Sequence, residues 1–320
     1  PEFKTLLEVS PQTKIISFSD IHGDIDALIV ALRDCAKVIK KSDRLYKPNP
    51  DYKYTDIDSE INIRKNNNDD FLDYLLNLDL NIPDQEDYFN RYMNDSNTCL
   101  GYEWSGENTY IVIIGDILDA ARDGIKKVIT KAGEKESFAH QYPQIEVKIL
   151  KFLNKLDELA SKKDNCRVIK LVGNHELMNF LEDTDSLYSY VFGNYKDDDI
   201  SKPTYYQGIS RLNYFNISKP GFELFRERGT AVLLIINQDD NYYIFVHGGI
   251  KTHPRNSYNY IDLYNKIVNK ITHKNKYYND FIILFNYLEE GGDIGSGETK
   301  EQIASVLWSR YLGDSFDTIN

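Results

Sequence analysis

The chain has 320 residues, with 50 acidic against 38 basic side chains and a formal charge of −12. That length buries a sizeable core, read as one α/β domain over 4–320 carrying an insertion, while the acidic balance argues against a general nucleic-acid binder, which needs a basic surface. A phosphate-bearing substrate stays open, because bound cations reverse the local sign.

The first element is "KIISFSD" (14–20), a short β-rich run ending in polar residues. Asp20 ends it and His22 and Asp24 follow closely, either as a metal corner at a strand end or as an ordinary polar turn. "DIDALIVALRDCAKVIKK" (24–41) places Ile25, Leu28, Ile29, Leu32, Cys35 and Ile39 on one helical face. Residues 42–103 break the rhythm with "KNNNDD" and "NIPDQED", and hold one modest helical stretch, "DDFLDYLLNLDL". Composition reads this segment as a surface insertion of low order, with a cap over the substrate entrance as the functional alternative.

"TYIVIIGDILD" (109–119) opens as a nearly continuous apolar run, as a strand buried on both faces does. An amphipathic helix is predicted over 146–163 and another strand over "CRVIKLVGNHE" (166–176). "TAVLLIINQDDNYYIFVHGGI" (230–250) reads as a hairpin around "NQDDN". Helices are expected near 257–272, 276–290 and 299–311, with a flexible Gly-rich linker, "EEGGDIGSGE", before the last. Three widely spaced cysteines, Cys35, Cys99 and Cys166, read as free thiols in a reducing, cytoplasmic compartment. Neither a membrane-spanning run nor a signal-peptide pattern is present, so no membrane partner is expected.

Four strand-like runs end in metal-type residues: Asp20 and His22, then Asp116 and Asp119, then Asn174 and His175, and finally His247. In an open α/β sheet, ligands collect outside the carboxyl ends of the strands, so these groups are expected on one rim. Imidazole, carboxylate and amide without thiolate suit Mn, Fe or Zn better than Ca. Asp116, central in chain order, is the natural bridge between two divalent ions, which together can polarise a phosphoryl group and generate hydroxide. His175 directly follows the ligand Asn174 and keeps its ring for general acid work, with Asp119 orienting it. His140, His253 and His273 read as loop or solvent-facing residues.

Together these blocks resemble the calcineurin-like metallophosphoesterase superfamily. "DIHGDIDALIVALRDC", "WSGENTYIVIIGDILD", "LVGNHELMNF" and "LWSRYLG" are most similar to the Shewanella-like protein phosphatases within its phosphoprotein-phosphatase group. The resemblance spans about 14–41, 104–182 and 225–313, and leaves out 42–103. It implies a β-sandwich flanked by α-helices, with a dinuclear metal site at the strand carboxyl ends. Carried over by motif, Asp20 and His22 bind metal 1, Asn174 and His247 bind metal 2, and Asp116 bridges.

Two departures from the pattern stand out. The family continues its second block with Arg-Gly where this chain has Ala120-Ala121, leaving Arg122 and Arg310, and less well Arg211, to grip phosphate. The family's last metal-2 histidine, downstream of the Leu-Trp stretch, has no counterpart before Asn320, and the domain reads as lacking its C-terminal end. The expectation is a phosphomonoesterase acting on phosphorylated Ser, Thr or Tyr of a protein through metal-bound hydroxide. The alternatives are a nucleotide or cap-type pyrophosphate hydrolase resembling the ApaH group, and an impaired phosphate-binding module.

Overall fold

A computed structural model describes residues 6–42, 68–119, 127–129, 135–137, 142–181, 205–209, 211–216, 218–231 and 233–248. The predicted segments after 250, the Gly-rich linker, and His140, His253 and His273 lie outside these residues. So do Ala120, Ala121, Arg122 and Arg310.

The architecture is mixed α/β. Strands β1 (Leu6–Val9) and β2 (Lys14–Phe18) precede helix α1 (Ile25–Val30), which widens into one π-helical turn, Ala31–Cys35. Asp24 is the N-cap of α1, its Oδ1 accepting from the Ala27 N–H at 2.9 Å. The helix expected through residue 41 stops early. Lys37 takes a left-handed backbone (φ 57°), and Ile39–Lys41 forms strand β3 instead. That strand pairs antiparallel with β4 (Tyr102–Trp104), which buries Ile39 against the core by a sheet register, not a helical face.

Most of the 42–103 segment that is described does not lie loose on the surface. It folds as helices α2 (Asn68–Asn77) and α3 (Pro83–Met93), and Leu75, Leu76, Leu78, Leu80, Phe89 and Met93 are buried in the main core. Mean polarity misled here because the polar residues occupy the outer faces of amphipathic helices. The signals of α3 were local ones: Pro83 in its first turn, Asp84 and Glu86 beside it, and Arg91 in its last turn. Residues 43–67 lie outside the described part.

Strand β5 (Thr109–Ile113) leads, past the antiparallel pair β6 (Lys127–Ile129) and β7 (Lys135–Ser137), to the long helix α4 (Ile145–Ala160). Strand β8 (Arg167–Leu171) and helix α5 (Asn174–Leu181) follow, then α6 (Arg211–Phe215) and α7 (Pro220–Arg226). Strands β9 (Thr230–Ala231), β10 (Leu233–Gln238) and β11 (Asn241–Val246) complete the described fold. The predicted hairpin is β10–β11, turned through Asp239 and Asp240, both left-handed (φ 54° and 61°) as a tight two-residue hairpin requires.

Strands β2, β5, β8 and β9 form an all-parallel sheet in that order, so the carboxyl ends of β2, β5 and β8 share one edge. A second sheet has the order β1-β10-β11. Side chains alternate along β5: Ile111 and Ile113 face the helices, whereas Val112 joins Ile169, Leu171, Leu234 and Ile236 in a smaller cluster drawn from both sheets. Helix α4 runs through the main core with Val147, Ile149, Leu150, Phe152, Leu153 and Leu156 all buried. All three cysteines are free thiols. Among the described residues no helix is long and apolar enough to cross a membrane.

Candidate active site

The strand ends meet through an unusual backbone. His22, Asp116 and Asp119 all adopt left-handed conformations (φ 44°, 52° and 66°), which non-glycine residues rarely hold unless their surroundings impose them. The Ile21 and His22 N–H groups donate to the Asp116 carbonyl at 2.8 and 2.9 Å, tying the β2 loop to the β5 loop. Two glycines permit the approach of β5 to β8. A Cβ on Gly115 (φ 106°) would meet Gly173 N at 2.5 Å, and one on Gly173 would meet Asp116 Oδ1 at 2.2 Å.

Behind this junction lies Glu176, which is fully buried. Its carboxylate accepts four backbone N–H groups: Asp116 and Gly173 on Oε2, Ile117 and Leu118 on Oε1, at 2.7–2.9 Å. It therefore shapes the turn that presents Asp116. Burial, then the neighbouring Asp116 charge, push its carboxyl up to about 7, against the four donors that favour the ionised form.

Three imidazoles converge on one carboxylate oxygen. Asp116 Oδ2 lies 3.2 Å from His247 Nε2, 3.6 Å from His22 Nε2 and 4.0 Å from His175 Nε2. Each ring is aimed by its other nitrogen. His22 Nδ1 lies 2.9 Å from the Leu118 carbonyl, His247 Nδ1 lies 3.0 Å from the Ile114 carbonyl, and His175 Nδ1 lies 2.6 Å from Asp119 Oδ2. A carbonyl only accepts, so Nδ1 of His22 and of His247 carries a proton, and Nε2 is the atom each ring turns towards the centre. Asn174 Oδ1 sits 2.8 Å from His247 Nε2, and the His175 N–H donates to Asp116 Oδ1 at 3.1 Å.

Two groups here offer ligand atoms close enough to share an ion: His22, Asp116 and His175, and Asp20, Asp116 and His247. Asp116 belongs to both. The motif resemblance places Asp20 with His22, and the second of these groups sets Asp20 beside His247 as well, Oδ1 to Nδ1 3.9 Å. Asp20 is the most open of the set, its side chain 44% exposed and its Oδ1 accepting from Ser19 Oγ at 2.6 Å. The donor chemistry fits a divalent transition metal: imidazoles fixed in orientation by their Nδ1 partners, hard carboxylates, and an amide oxygen alongside.

Electrostatics follow from this packing. Burial opposes charge on His247 and His175, but the hydrogen bonds and charges of Asp116 and Asp119 respectively outweigh it, so both imidazolium pKa values rise above the ordinary range. Asp116 is held below the usual carboxylate range, burial again being overcome by His247 and His175.

Asp119 is wholly buried, and its carboxylate has two further partners. Its Oδ1 accepts from Asn179 Nδ2 at 3.0 Å and from Arg211 Nη2 at 2.6 Å. Arg211, weighed from sequence as a phosphate grip, is committed instead to a buried network with Glu146, Asn179 and Asp119. Sequence reasoning gave Glu176, Glu146 and Asn179 no role. Glu176 and Asn179 stood inside quoted motifs, and Asn179 lies one helical turn beyond His175. Glu146 and Arg211 carry no local signal, because only the tertiary fold brings α4 and α6 to Asp119.

No protein-family model matches the chain, and no curated protein does. Among solved structures it is similar to the cold-active protein-tyrosine phosphatase of a psychrophilic Shewanella species, at 16% identity and a TM-score of 0.40, covering 99% of this chain and 64% of that one. A second structure of a cold-active protein tyrosine phosphatase shows 16% identity and a TM-score of 0.37 over 99% of this chain and 54% of that one. The phosphatase domain of the Legionella effector WipB shows 12% identity and a TM-score of 0.36, over 92% and 78% respectively. The chain thus spans about half to two thirds of the length of the two cold-active phosphatase structures.

Proposed function

We propose that this chain is a metal-dependent phosphomonoesterase of the metallophosphoesterase type, acting on phosphorylated side chains of proteins. The observation that carries the reading is the convergence of three oriented imidazole Nε2 atoms on Asp116 Oδ2 at the shared strand edge. The smaller apolar cluster between the two sheets supports the sandwich architecture that goes with it.

In this reading Asp20, His22, Asp116, Asn174 and His247 hold two divalent ions (Mn, Fe or Zn), with Asp116 common to both. Such ions supply positive charge to a phosphoryl group and lower the pKa of water. His175 has a different task. Its Nε2 faces the centre beside Asp116, its Nδ1 is fixed by Asp119, and the bond and charge of Asp119 outweigh burial in favouring a proton on the ring. That proton goes to the leaving oxygen of the ester. Asp119 stays ionised throughout, because the Arg211 charge and the His175 bond outweigh its burial. Arg122 and Arg310 are the proposed phosphate-gripping cations.

The test supplies Mn to the chain and offers phosphotyrosine and phosphoserine peptides beside a dinucleoside polyphosphate. Release of phosphate from a peptide is expected, with two ions bound per chain. Hydrolysis confined to the dinucleoside compound moves the assignment to the pyrophosphate hydrolases. Two bound ions with no turnover of any substrate overturn the enzyme reading.

A further inference from the structure

The acid pair His175–Asp119 is the front of a deeper assembly that neither motif nor strand end announces. Asp119 is anchored at three points beyond its bond to His175. Asn179 Nδ2 and Arg211 Nη2 donate to its Oδ1, and its own N–H donates to Glu146 Oε1 at 2.8 Å. Arg211 reaches across the assembly. Its Nε donates to Glu146 Oε2 at 2.8 Å, its Nη2 to Glu146 Oε1, and its Nη1 to Asn179 Oδ1 at 2.9 Å. Tyr205 OH closes the far side on Glu146 Oε2 at 2.7 Å, while Asn179 Nδ2 also donates to the His175 carbonyl at 2.8 Å. The Asp119 and Glu146 side chains are essentially inaccessible, and that of Arg211 is 10% exposed.

Two buried carboxylates and one guanidinium leave one net negative charge, and the only Asp119 oxygen not turned to Arg211 and Asn179 is the one on His175. A guanidinium suits this place because its planar fork meets several acceptors at fixed angles, which an ammonium cannot do. The backbone adds a reason for bracing: Asp119 is held left-handed (φ 66°), a conformation its surroundings must impose.

We infer that Arg211 is a positioning residue for the leaving-group acid: with Glu146 it fixes the Asp119 carboxylate from behind, so that Asp119 Oδ2 holds the His175 ring in its working orientation. This deepens the proposed hydrolase reading and rests on it for kinetics alone.

The experiment uses the full chain and two variants. Arg211→Lys keeps the charge but loses the fork. The double variant Glu146→Gln/Arg211→Gln removes one charge of each sign, so the net charge of the cluster is kept and Glu146 is not left as an unpaired buried anion, while Asp119 keeps its bonds to His175 and Asn179. The first readout is the downfield proton NMR signal of the His175 Nδ1–H, assigned by its loss in His175→Gln. It is expected in the wild type, and expected shifted or exchange-broadened in the double variant while circular dichroism and Tm stay near wild type. The second readout is turnover with Mn. Phosphopeptide turnover should fall about ten- to a hundredfold in the double variant at unchanged metal content, while an activated aryl phosphate falls far less. Arg211→Lys should recover part of the loss.

A folded double variant with the wild-type proton signal overturns the inference, as does an equal loss on both esters. If the metal-loaded wild type hydrolyses no phosphoester, the hydrolase reading fails and the proton signal alone decides the role of Arg211.

Discussion

Two of the places where the described residues bury charge are built on opposite plans. One is the His-Asp cluster at the edge of the parallel sheet. The other is Lys148 in α4, which is inaccessible to solvent and donates to the carbonyls of Leu76, Leu78 and Pro143 at 2.5–2.7 Å. Leu76 and Leu78 lie at the C-terminal end of α2, where carbonyls have no helical partner, so Lys148 acts as an internal cap joining α2 to α4. Its three donors are matched by three acceptors, and no direction is left over. At the sheet edge every imidazole spends one nitrogen on orientation and turns the other towards Asp116. A saturated charge is a joint; charges whose remaining directions converge on a common point form a site.

That contrast can be broken at either end, and the largest effect is expected at Asp116. Asp116→Asn should abolish phosphopeptide turnover and lower metal content at both positions, because this carboxylate belongs to both ligand groups. Metal analysis and steady-state assay check it, and half or more of wild-type turnover with metal intact would refute the bridging role. Next, His175→Ala should leave metal bound and slow hydrolysis of poor leaving groups by about 10²–10⁴-fold. Activated aryl phosphates should suffer less; a uniform loss would show that His175 is not the acid.

On the structural side, Phe89→Ala should cost about 3–5 kcal/mol in chemical denaturation, because Phe89 is fully buried where α3 joins the core. A change within the scatter of surface substitutions would detach α3 from the core. Smallest of the four, Lys148→Met should cost about 1–3 kcal/mol by orphaning carbonyls, with catalysis intact. Burial pushes the Lys148 amine down to about 7 from its ordinary 10.5, so the unfolded chain binds the extra proton between those values. Stability contributed by wild-type Lys148 relative to the Met variant should therefore rise as pH climbs from about 7 towards 10. A flat difference across that window would mean the group keeps its proton in the folded state.

Much of this was readable along the chain because it depends on neighbours in sequence. The apolar runs ending in Asp20, Asp116 and Asn174 announce strands whose carboxyl ends carry polar loops, and β2, β5 and β8 occur within those runs. Periodicity announced α4, and "DDFLDYLLNLDL" announced most of α2. Local pattern also erred where two periods compete. Val38–Lys41 continues a helical stripe on paper, yet one left-handed residue, Lys37, redirects it into β3. The polar average of 42–103 hid the apolar faces of α2 and α3 in the same way.

What the sequence alone determined is the inventory of site chemistry: which residues carry imidazole, carboxylate and amide at strand ends, and that His175 adjoins Asn174. Only the tertiary structure decided how those groups are shared and braced. Packing of the β1-β10-β11 sheet against β2-β5-β8 brings His247 within 3.9 Å of Asp20, and the β5–β8 junction places four N–H groups on Glu176. The fold also sets Arg211 against Glu146, 65 residues away in sequence, behind Asp119. The physical reason is range. Strand, helix and turn follow from periodicities over a few residues, whereas a buried guanidinium finds its carboxylates only when packing of the whole core excludes water from between them.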